Sequence, residues 1–215
     1  MPTYVIEHME PDETDGTFPK WVHLEYSQML KLASPSHVLF SSLSRQSVQT
    51  LSNQLVTNGA NSDQFKTETA SVIQLMKQHS IDLNRVCLLD PKAEKELEPQ
   101  DAKEFDWFLF GGILGDDPPR DRTGELRKLG FPGRRLGPVQ MTTDTALGVT
   151  KLIVQDGIPY DKIDFVDHPT IKFDDHESVE MPFRYVKDEQ GEPILPPGMR
   201  QHLRDDMDKG FDAFE

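Results

Sequence analysis

The chain has 215 residues and a mass of 24.5 kDa, the size of one domain or of one domain with a small extension. It carries 37 Asp and Glu against 23 Lys and Arg, a formal net charge of −14, which argues against general nucleic-acid binding because phosphate contacts need a basic surface. A single cysteine, Cys87, excludes an intrachain disulfide and a four-cysteine zinc site.

The sequence also predicts a protein of the cytoplasm. One cysteine fits a reducing compartment. The acidic start lacks the basic n-region of a secretory signal. No apolar run approaches the roughly 20 residues that span a bilayer, so we expect no membrane contact.

Short strands and helices alternate through the first part of the chain. Residues 4–6 and 37–40 are rich in β-branched and aromatic side chains, which is typical of strands. Residues 20–34, 45–58 and 67–79 predict helices, because their apolar residues recur near a period of 3.6.

The same alternation continues through the middle of the chain. Buried strands are predicted at 86–89 and 106–110, and the first stops at Asp-Pro while the second stops at paired glycines. Helical segments are predicted at 99–105, 122–129 and 142–156, and a short strand at 134–136. This order predicts an α/β fold with a mostly parallel sheet and helices on both faces.

The last part of the chain differs in composition. From residue 160 onward it holds 15 acidic and 7 basic residues, a balance of −8. Strand-like residues 163–166 and 183–186 are separated by Pro- and Gly-rich turns, and a final helix follows. We therefore divide the chain into an α/β core, 1–160, and an acidic, β-rich and helical C-terminal extension, 161–215, packed on the core.

Three strand ends are the candidate ligand site, since open α/β sheets bind ligands beyond the carboxyl ends of their strands. The loops are residues 88–91, 110–122 and 136–144. The middle loop combines three glycines, two prolines and a dense Asp-Arg set, which suits close and rigid ligand contact. The alternative is a structural turn whose Asp and Arg side chains pair with each other.

Other chemical signatures are weak. Neither a G-x-G-x-x-G nor a G-x-x-x-x-G-K-[ST] string occurs. His168 and His176 lie among acidic residues, but their spacing matches no ligand motif, so we predict a solvated loop and no metal site. Cys87 lies in an apolar run and is predicted to be a buried, inert thiol.

A local basic cluster contrasts with the acidic net charge of the whole chain. Residues 120–135 contain six basic side chains opposed by Asp121 and Glu125. One interpretation is a helix surface with ion pairs, and the other is a local site for a carboxylate or phosphate. The basic residues are Arg120, Arg122, Arg127, Lys128, Arg134 and Arg135.

Long strings along nearly the whole chain resemble the SPOUT-type protein arginine methyltransferases of fungi and other eukaryotes. The residues around 41–80 resemble that family least. The matching strings are FGGILGD (110–116), PPRDRT (118–123), RLG (135–137), QMTTDTA (140–146), IEHME (6–10), WV (21–22), LEYSQ (24–28), VCLLDP (86–91) and EMPFRYV (180–186).

The resemblance implies an α/β domain with a C-terminal deep trefoil knot and S-adenosylmethionine as cofactor, held bent by three loops at the knot. It implies, as acceptor, an arginine of the KH-domain protein of the small ribosomal subunit, a basic partner that suits an acidic enzyme. It also implies a monomer, with a homodimer as the alternative. The cofactor residues it implies are those of the three strand-end loops: Leu88, Leu89, Asp90, Phe110, Gly111, Gly112, Gly115, Leu136, Gly137, Gln140, Met141, Thr142 and Thr143.

Arginine methylation needs a carboxylate, because the acceptor guanidinium is cationic and must be aligned and lose a proton. Asp116 and Asp121 are the preferred candidates, Asp117 is their neighbour, and Glu7 is a further choice at a strand end. Arg120 is predicted to hold one of these carboxylates or to bind the carboxylate of the cofactor.

Two other functions remain open from the sequence. An RNA methyltransferase is favoured by the basic cluster and opposed by the net charge. A non-catalytic binding module for a basic ribosomal protein fits the charge but not the glycine-rich loop. In each protein-binding case, the acidic C-terminal extension, including Asp205, Asp206 and Asp208, is the predicted docking surface.

Overall fold

The computed structural model describes residues 1–9, 18–112, 121 and 123–212. Its centre is a six-stranded sheet in which each pair of neighbouring strands is parallel. The strands are β1 (Thr3–Glu7), β2 (His37–Ser41), β3 (Phe65–Thr67), β4 (Val86–Leu89), β5 (Trp107–Gly111) and β6 (Gly133–Arg134). Their order across the sheet is β3-β2-β1-β5-β4-β6.

Helices cover both faces of this sheet. They are α1 (Lys20–Ala33), α2 (Arg45–Thr57), α3 (Val72–His79), α4 (Asp101–Glu104), α5 (Thr123–Lys128), α6 (Thr143–Val154) and α7 (Met199–Asp212). Side chains of α1, α2 and α6 pack with Tyr4, Phe40 and Phe108 in one buried cluster. Side chains of α3 and α5 pack with Val5 and Leu109 on the other face. The predicted α/β class, with a mostly parallel sheet between helical layers, is confirmed.

Two elements depart from the sequence prediction. β3 lies inside the stretch predicted as loop and helix, and it pairs with β2 through Val38 and Phe65. The predicted helix at 67–79 accordingly begins only at Val72, where Ser71 forms a capping box with Gln74. Thr67 is therefore the end of a strand, because pairing with β2 outweighs the weak local helical pattern.

The order of strands places the predicted ligand loops together. β5 and β6 lie on either side of β4, so the chain segments that leave all three strands emerge at one edge of the sheet. Side chains of β4 and β5 are buried along their full length. Cys87 is among them and its burial raises the pKa of the thiol, which confirms the prediction of a buried, inert cysteine.

The C-terminal part forms small sheets and a helix. Its strands are β7 (Phe165–Asp167), β8 (Thr170–Lys172), β9 (Ser178–Glu180) and β10 (Arg184–Val186), of which β7 pairs with β10 and β8 with β9. It packs on the core through α7 against α1 and through β10 against α6. The β-rich and helical character is confirmed, while the boundary at residue 160 and the trefoil knot stay predictions. None of the described helices has the length and apolar character to cross a membrane.

Candidate active site

A cavity of about 360 Å³ opens where β4, β5 and β6 end. All three predicted loops contribute to its wall, so the expected meeting of these strand ends is confirmed. The lining residues are Leu89, Asp90, Pro91, Lys92, Phe110, Gly111, Asp121, Thr123, Leu136, Gly137, Pro138, Val139, Gln140, Met141, Thr143 and Ala146.

Much of the cavity wall is apolar, with backbone groups close to the surface. Leu89, Leu136 and Met141 supply aliphatic area, which suits a flat heterocycle. A Cβ at Gly111 would lie 3.1 Å from Cγ2 of Thr123, so a larger residue there would require Thr123 to shift. Gly137 has a φ of +70°, a conformation that side chains other than glycine rarely adopt.

An ion-pair network closes one side of the cavity. Arg127 donates to both carboxylate oxygens of Asp90, at 2.5 Å from Nε and 2.7 Å from Nη2. The same guanidinium donates to both oxygens of Asp121 at 3.1 Å, and Lys92 Nζ lies 2.7 Å from Asp121. Arg127 and Lys92 together hold the pKa of Asp121 well below its usual range, so this carboxylate stays ionised and is a weak proton acceptor.

The carboxylate of Asp90 is occupied by the protein itself. Besides Arg127 it accepts hydrogen bonds from the backbone N–H of Lys92 at 2.9 Å and from Thr123 Oγ1 at 3.3 Å. Burial opposes ionisation of Asp90, but these donors outweigh it and lower the pKa of Asp90. Asp90 therefore shapes the turn after β4 and ties that turn to α5.

The start of α6 is joined to the end of β5. Thr143 Oγ1 donates to the carbonyl oxygen of Gly112 at 2.9 Å. Gly112 N–H donates in turn to the carbonyl of Glu7 at 2.9 Å. Thr142 Oγ1 bonds Thr145 Oγ1 at 2.8 Å. These contacts set the position of the α6 N-terminus beside the cavity.

Comparison with known proteins identifies the family. The model of SFM1-like protein arginine N-methyltransferases matches residues 3–210. The protein arginine N-methyltransferase SFM1 of Saccharomyces cerevisiae (strain ATCC 204508 / S288c) is 44% identical over 218 residues, which cover 97% of each chain. The chain belongs to the SFM1-like family of protein arginine N-methyltransferases.

Solved structures agree with this assignment. The crystal structure of yeast SFM1 complexed with SAM superposes with a TM-score of 0.83 at 42% identity, covering 95% of this chain and 91% of that one. A Trm10 of Thermococcus kodakaraensis, described as dual specific, has a TM-score of 0.55 at 20% identity and covers 75% of this chain and 96% of its own. The second likeness shows a shared fold, and the predicted family of protein arginine methyltransferases is confirmed by the first.

Most of the cofactor residues predicted for this SFM1-like chain line the cavity. They are Leu89, Asp90, Phe110, Gly111, Leu136, Gly137, Gln140, Met141 and Thr143. Gly115 and two of the predicted catalytic residues, Asp116 and Arg120, lie outside the described residues. Asp121 lies at the cavity wall, in the ion-pair network described above.

Three predicted cofactor residues do not line the cavity. Leu88 precedes Leu89 in β4 and so points to the opposite face of the sheet, where it packs with Val5 and Leu109. Gly112 accepts from Thr143 Oγ1 and so joins β5 to α6, while Thr142 bonds Thr145 at the start of α6.

Some lining residues were not among the predicted cofactor residues, although several lie in the predicted loops. Pro91, Pro138 and Val139 are chain neighbours of predicted ones, and Ala146 follows Thr143 by one helical turn, a spacing that identifies it once the helix is known. Lys92 follows the predicted loop 88–91, and Thr123 ends the matching string at 118–123. Their place at the cavity depends on how α5 packs beside β4.

The carboxylate of Glu7 forms hydrogen bonds away from the cavity. It accepts hydrogen bonds from Ser41 Oγ at 2.5 Å, Ser42 Oγ at 2.6 Å and the backbone N–H of Val72 at 2.9 Å. Glu7 thus joins the ends of β1 and β2 to the N-terminus of α3 and does not line the cavity. The choice of Glu7 as a catalytic carboxylate has no support in this geometry.

The described members of the basic cluster at 120–135 form ion pairs within the protein. Arg134 lies buried against Asp101 at 2.9 Å. Arg135 pairs with Glu96 at 3.4 Å, and Lys128 pairs with the adjacent Glu125 at 2.6 Å. Together with the pairing of Arg127, these contacts favour the interpretation as an ion-paired surface.

Proposed function

We propose that this SFM1-like chain transfers a methyl group from S-adenosylmethionine to an arginine side chain of a protein. The observation that carries the proposal is the cavity at the ends of β4, β5 and β6, built from the loops whose strings are shared with the family. Its volume lies at the lower end of the range for small-molecule sites.

The cavity suits the chemistry of the cofactor. Leu89, Leu136 and Met141 offer apolar contact for the adenine, and the backbone beside Gly111 and Gly137 can approach the nucleoside closely. When bound, S-adenosylmethionine supplies a methyl group activated by a sulfonium. The cofactor contacts assigned to individual residues remain part of the proposal.

The candidate carboxylates have different roles toward the acceptor arginine. Asp121 is held ionised by Arg127 and Lys92, so it suits the task of holding a cationic guanidinium by charge. We assign proton acceptance to Asp116, which has to accept the guanidinium proton as the lone pair of the acceptor nitrogen becomes available. Arg120 holds one of these carboxylates or the carboxylate of the cofactor.

The acceptor that the charge favours is a basic protein. A net charge of −14 attracts a basic partner and repels RNA. The ion pairing of the described basic residues removes the main feature that favoured RNA. We propose the KH-domain protein of the small ribosomal subunit as acceptor, in the cytoplasm, with a monomeric enzyme and docking on the acidic C-terminal extension.

The test is transfer of labelled methyl groups from S-adenosylmethionine, with purified small-subunit ribosomal proteins and ribosomal RNA offered separately. We expect label on one basic protein, located at an arginine by mass spectrometry. Label on RNA alone would overturn the proposal. Absence of both label and cofactor binding would also overturn it, in favour of the non-catalytic binding module.

The roles of the carboxylates can be tested by Asp116→Asn and Asp121→Asn. Each change removes a negative charge with little change in shape, so we expect turnover to fall by roughly 100-fold. Calorimetry should show that S-adenosylmethionine still binds. Full turnover in both variants with cofactor binding intact would remove both residues from the reaction.

A further inference from the structure

The loop formed by residues 136–141, here called the third loop, is held from outside the cavity by the C-terminal segment. Arg184 donates its backbone N–H to the carbonyl of Gln140 at 2.9 Å, and a β-bridge pairs Arg184 with Met141. Gln140 and Met141 line the cavity, whereas Arg184 does not. β10 therefore lies behind the cavity wall and supports it.

Tyr160 contacts the same loop at its other end. It follows α6 in a 3-10 turn, Tyr160–Lys162. Its hydroxyl occupies the space beside the Cα of Gly137, so a Cβ added to Gly137 would overlap it. The left-handed backbone of Gly137 and the position of Tyr160 therefore depend on each other.

The Arg184 side chain joins these contacts into one unit. Nη1 donates to the Tyr160 hydroxyl at 2.7 Å, while Nε and Nη2 donate to the two oxygens of Asp167 at 2.5 and 2.6 Å. The guanidinium also lies 4.9 Å from the centre of the Phe165 ring. A forked, charge-assisted pair stacked on an aromatic ring has a fixed geometry, unlike an ordinary surface ion pair.

We propose that Arg184 and Tyr160 are positioning residues that hold the third loop in the conformation that binds the cofactor, an inference that rests on the proposed function. The backbone pairing with Arg184 and the contact with Tyr160 restrict the conformational freedom of the third loop from outside the cavity. A loop ordered before binding raises affinity, since the fraction of molecules competent to bind is larger.

The experiment compares Tyr160→Phe and Arg184→Lys with the unmodified chain. The first change keeps the ring beside Gly137 and removes the acceptor for Nη1, and the second keeps the charge and removes the fork. Calorimetry should show S-adenosylmethionine bound about tenfold more weakly in each. The KM for S-adenosylmethionine should rise by a similar factor with kcat at saturation nearly unchanged.

Arg204→Lys is the matched control. Arg204 forms ion pairs with Asp174 at 3.1 Å and Glu177 at 3.2 Å, in the same C-terminal segment but with no residue of the third loop. We expect normal cofactor affinity for this variant. Equal losses of affinity in the control and in the two test variants would overturn the proposal, since they would indicate general destabilisation.

Hydrogen exchange separates this inference from the proposed function, because it needs no cofactor. Backbone amides of residues 136–141 should exchange faster in Tyr160→Phe and Arg184→Lys, and at the normal rate in Arg204→Lys. Unchanged exchange in the test variants would overturn the positioning role. Failure of the unmodified chain to bind S-adenosylmethionine would instead overturn the proposed function and leave the exchange result to decide whether the loop is held.

Discussion

Two groups of strand ends on the same edge of the sheet differ in how their polar groups are satisfied. At the ends of β1 and β2, the Glu7 carboxylate accepts three hydrogen bonds, from Ser41, Ser42 and the N-terminus of α3. At the ends of β5, β4 and β6, the Asp90 carboxylate is drawn toward Arg127, and apolar walls with glycine backbone enclose a cavity. A strand end becomes a binding site where the protein's own side chains leave the backbone and apolar surface accessible.

The largest expected effect is at the ends of β1 and β2, where Glu7 forms its hydrogen bonds. Glu7→Ala would leave the Val72 N–H and the half-buried Ser42 hydroxyl without their acceptor, and Ser41 Oγ with only the Ile6 carbonyl at 3.2 Å. The free energy of unfolding should fall by ~4 kcal/mol, since each buried group that loses its partner costs about 1–3 kcal/mol. Urea unfolding measures this loss. Glu7→Gln, which keeps one carbonyl acceptor, is the control and should lose less. Weakened S-adenosylmethionine binding with unchanged stability would instead assign Glu7 to the cofactor site.

Unlike Glu7, two buried carboxylates leave one oxygen without a donor. Within the part of the chain that the structure describes, Oδ1 of Asp144, Oε2 of Glu25 and the Tyr185 hydroxyl have no hydrogen-bond partner. Burial raises the pKa of Asp144 from 3.8 to about 6. Burial and the charge of Asp144 raise the pKa of Glu25 well above its ordinary value.

The sign of the pH dependence follows from linkage. A carboxyl whose pKa is raised by folding holds its proton in the native state, so its contribution to stability is complete below pH 3.8 and is lost as pH rises through about 6. The rise in the pKa of Asp144 corresponds to ~3 kcal/mol. Asp144→Asn should therefore be up to ~3 kcal/mol more stable than the unmodified chain at pH 8, and close to it at pH 4.

Thermal unfolding between pH 4 and pH 8 tests the Asp144 prediction. The exposed Asp161 provides the control, because Asp161→Asn makes the same chemical change at the surface of the protein. If stability depends on pH in the same way with and without Asp144, the native state ionises this carboxyl with little loss of stability, and the prediction is wrong.

At the cavity, the close contact between Gly137 and Tyr160 can be tested directly. Gly137→Ala should weaken S-adenosylmethionine binding about tenfold, or ~1.4 kcal/mol, because the added Cβ displaces Tyr160. Gly157→Ala is a matched control, since Gly157 has a φ of +71° against +70° at Gly137 but has nothing within 4 Å of its Cβ position. Equal effects of the two changes on affinity would attribute the loss to backbone strain alone.

The smallest expected effect concerns the exposed ion pairs near the cavity. Lys128→Gln and Arg135→Gln each break one exposed ion pair, so the free energy of unfolding should change by less than ~0.5 kcal/mol. Methyl transfer to protein should be unaffected. A large loss of transfer in either variant would restore the alternative in which these side chains bind substrate.

Much of the fold was predictable because its signals are local. The strand at Val86–Leu89 is a continuous apolar run stopped by Asp90 and Pro91, a pattern that a strand buried on both faces requires. β3 was missed because three residues, Phe65–Thr67, carry no readable alternation, and its strand character comes from pairing with β2.

The candidate site was only partly predictable. Asp90 and Asp121 were identified as loop residues, but their pairing through Arg127 spans 37 residues of chain for Asp90 and was not predicted. That pairing turns a candidate base, Asp121, into an anion held at low pKa. Such a change depends on distances across the fold, which the spacing of residues along the chain does not encode.

By itself the sequence determined the α/β class, the three loops and the family, because apolar periodicity, turn residues and long shared strings are all local features. The tertiary structure decided which of those residues reach the cavity. It turned Leu88 to the opposite face, occupied Glu7 and Asp90 with partners from other elements, and placed Tyr160 and Arg184 behind the third loop. The physical reason is that a side chain's role follows from its hydrogen bonds and burial, and these arise only when distant segments pack together.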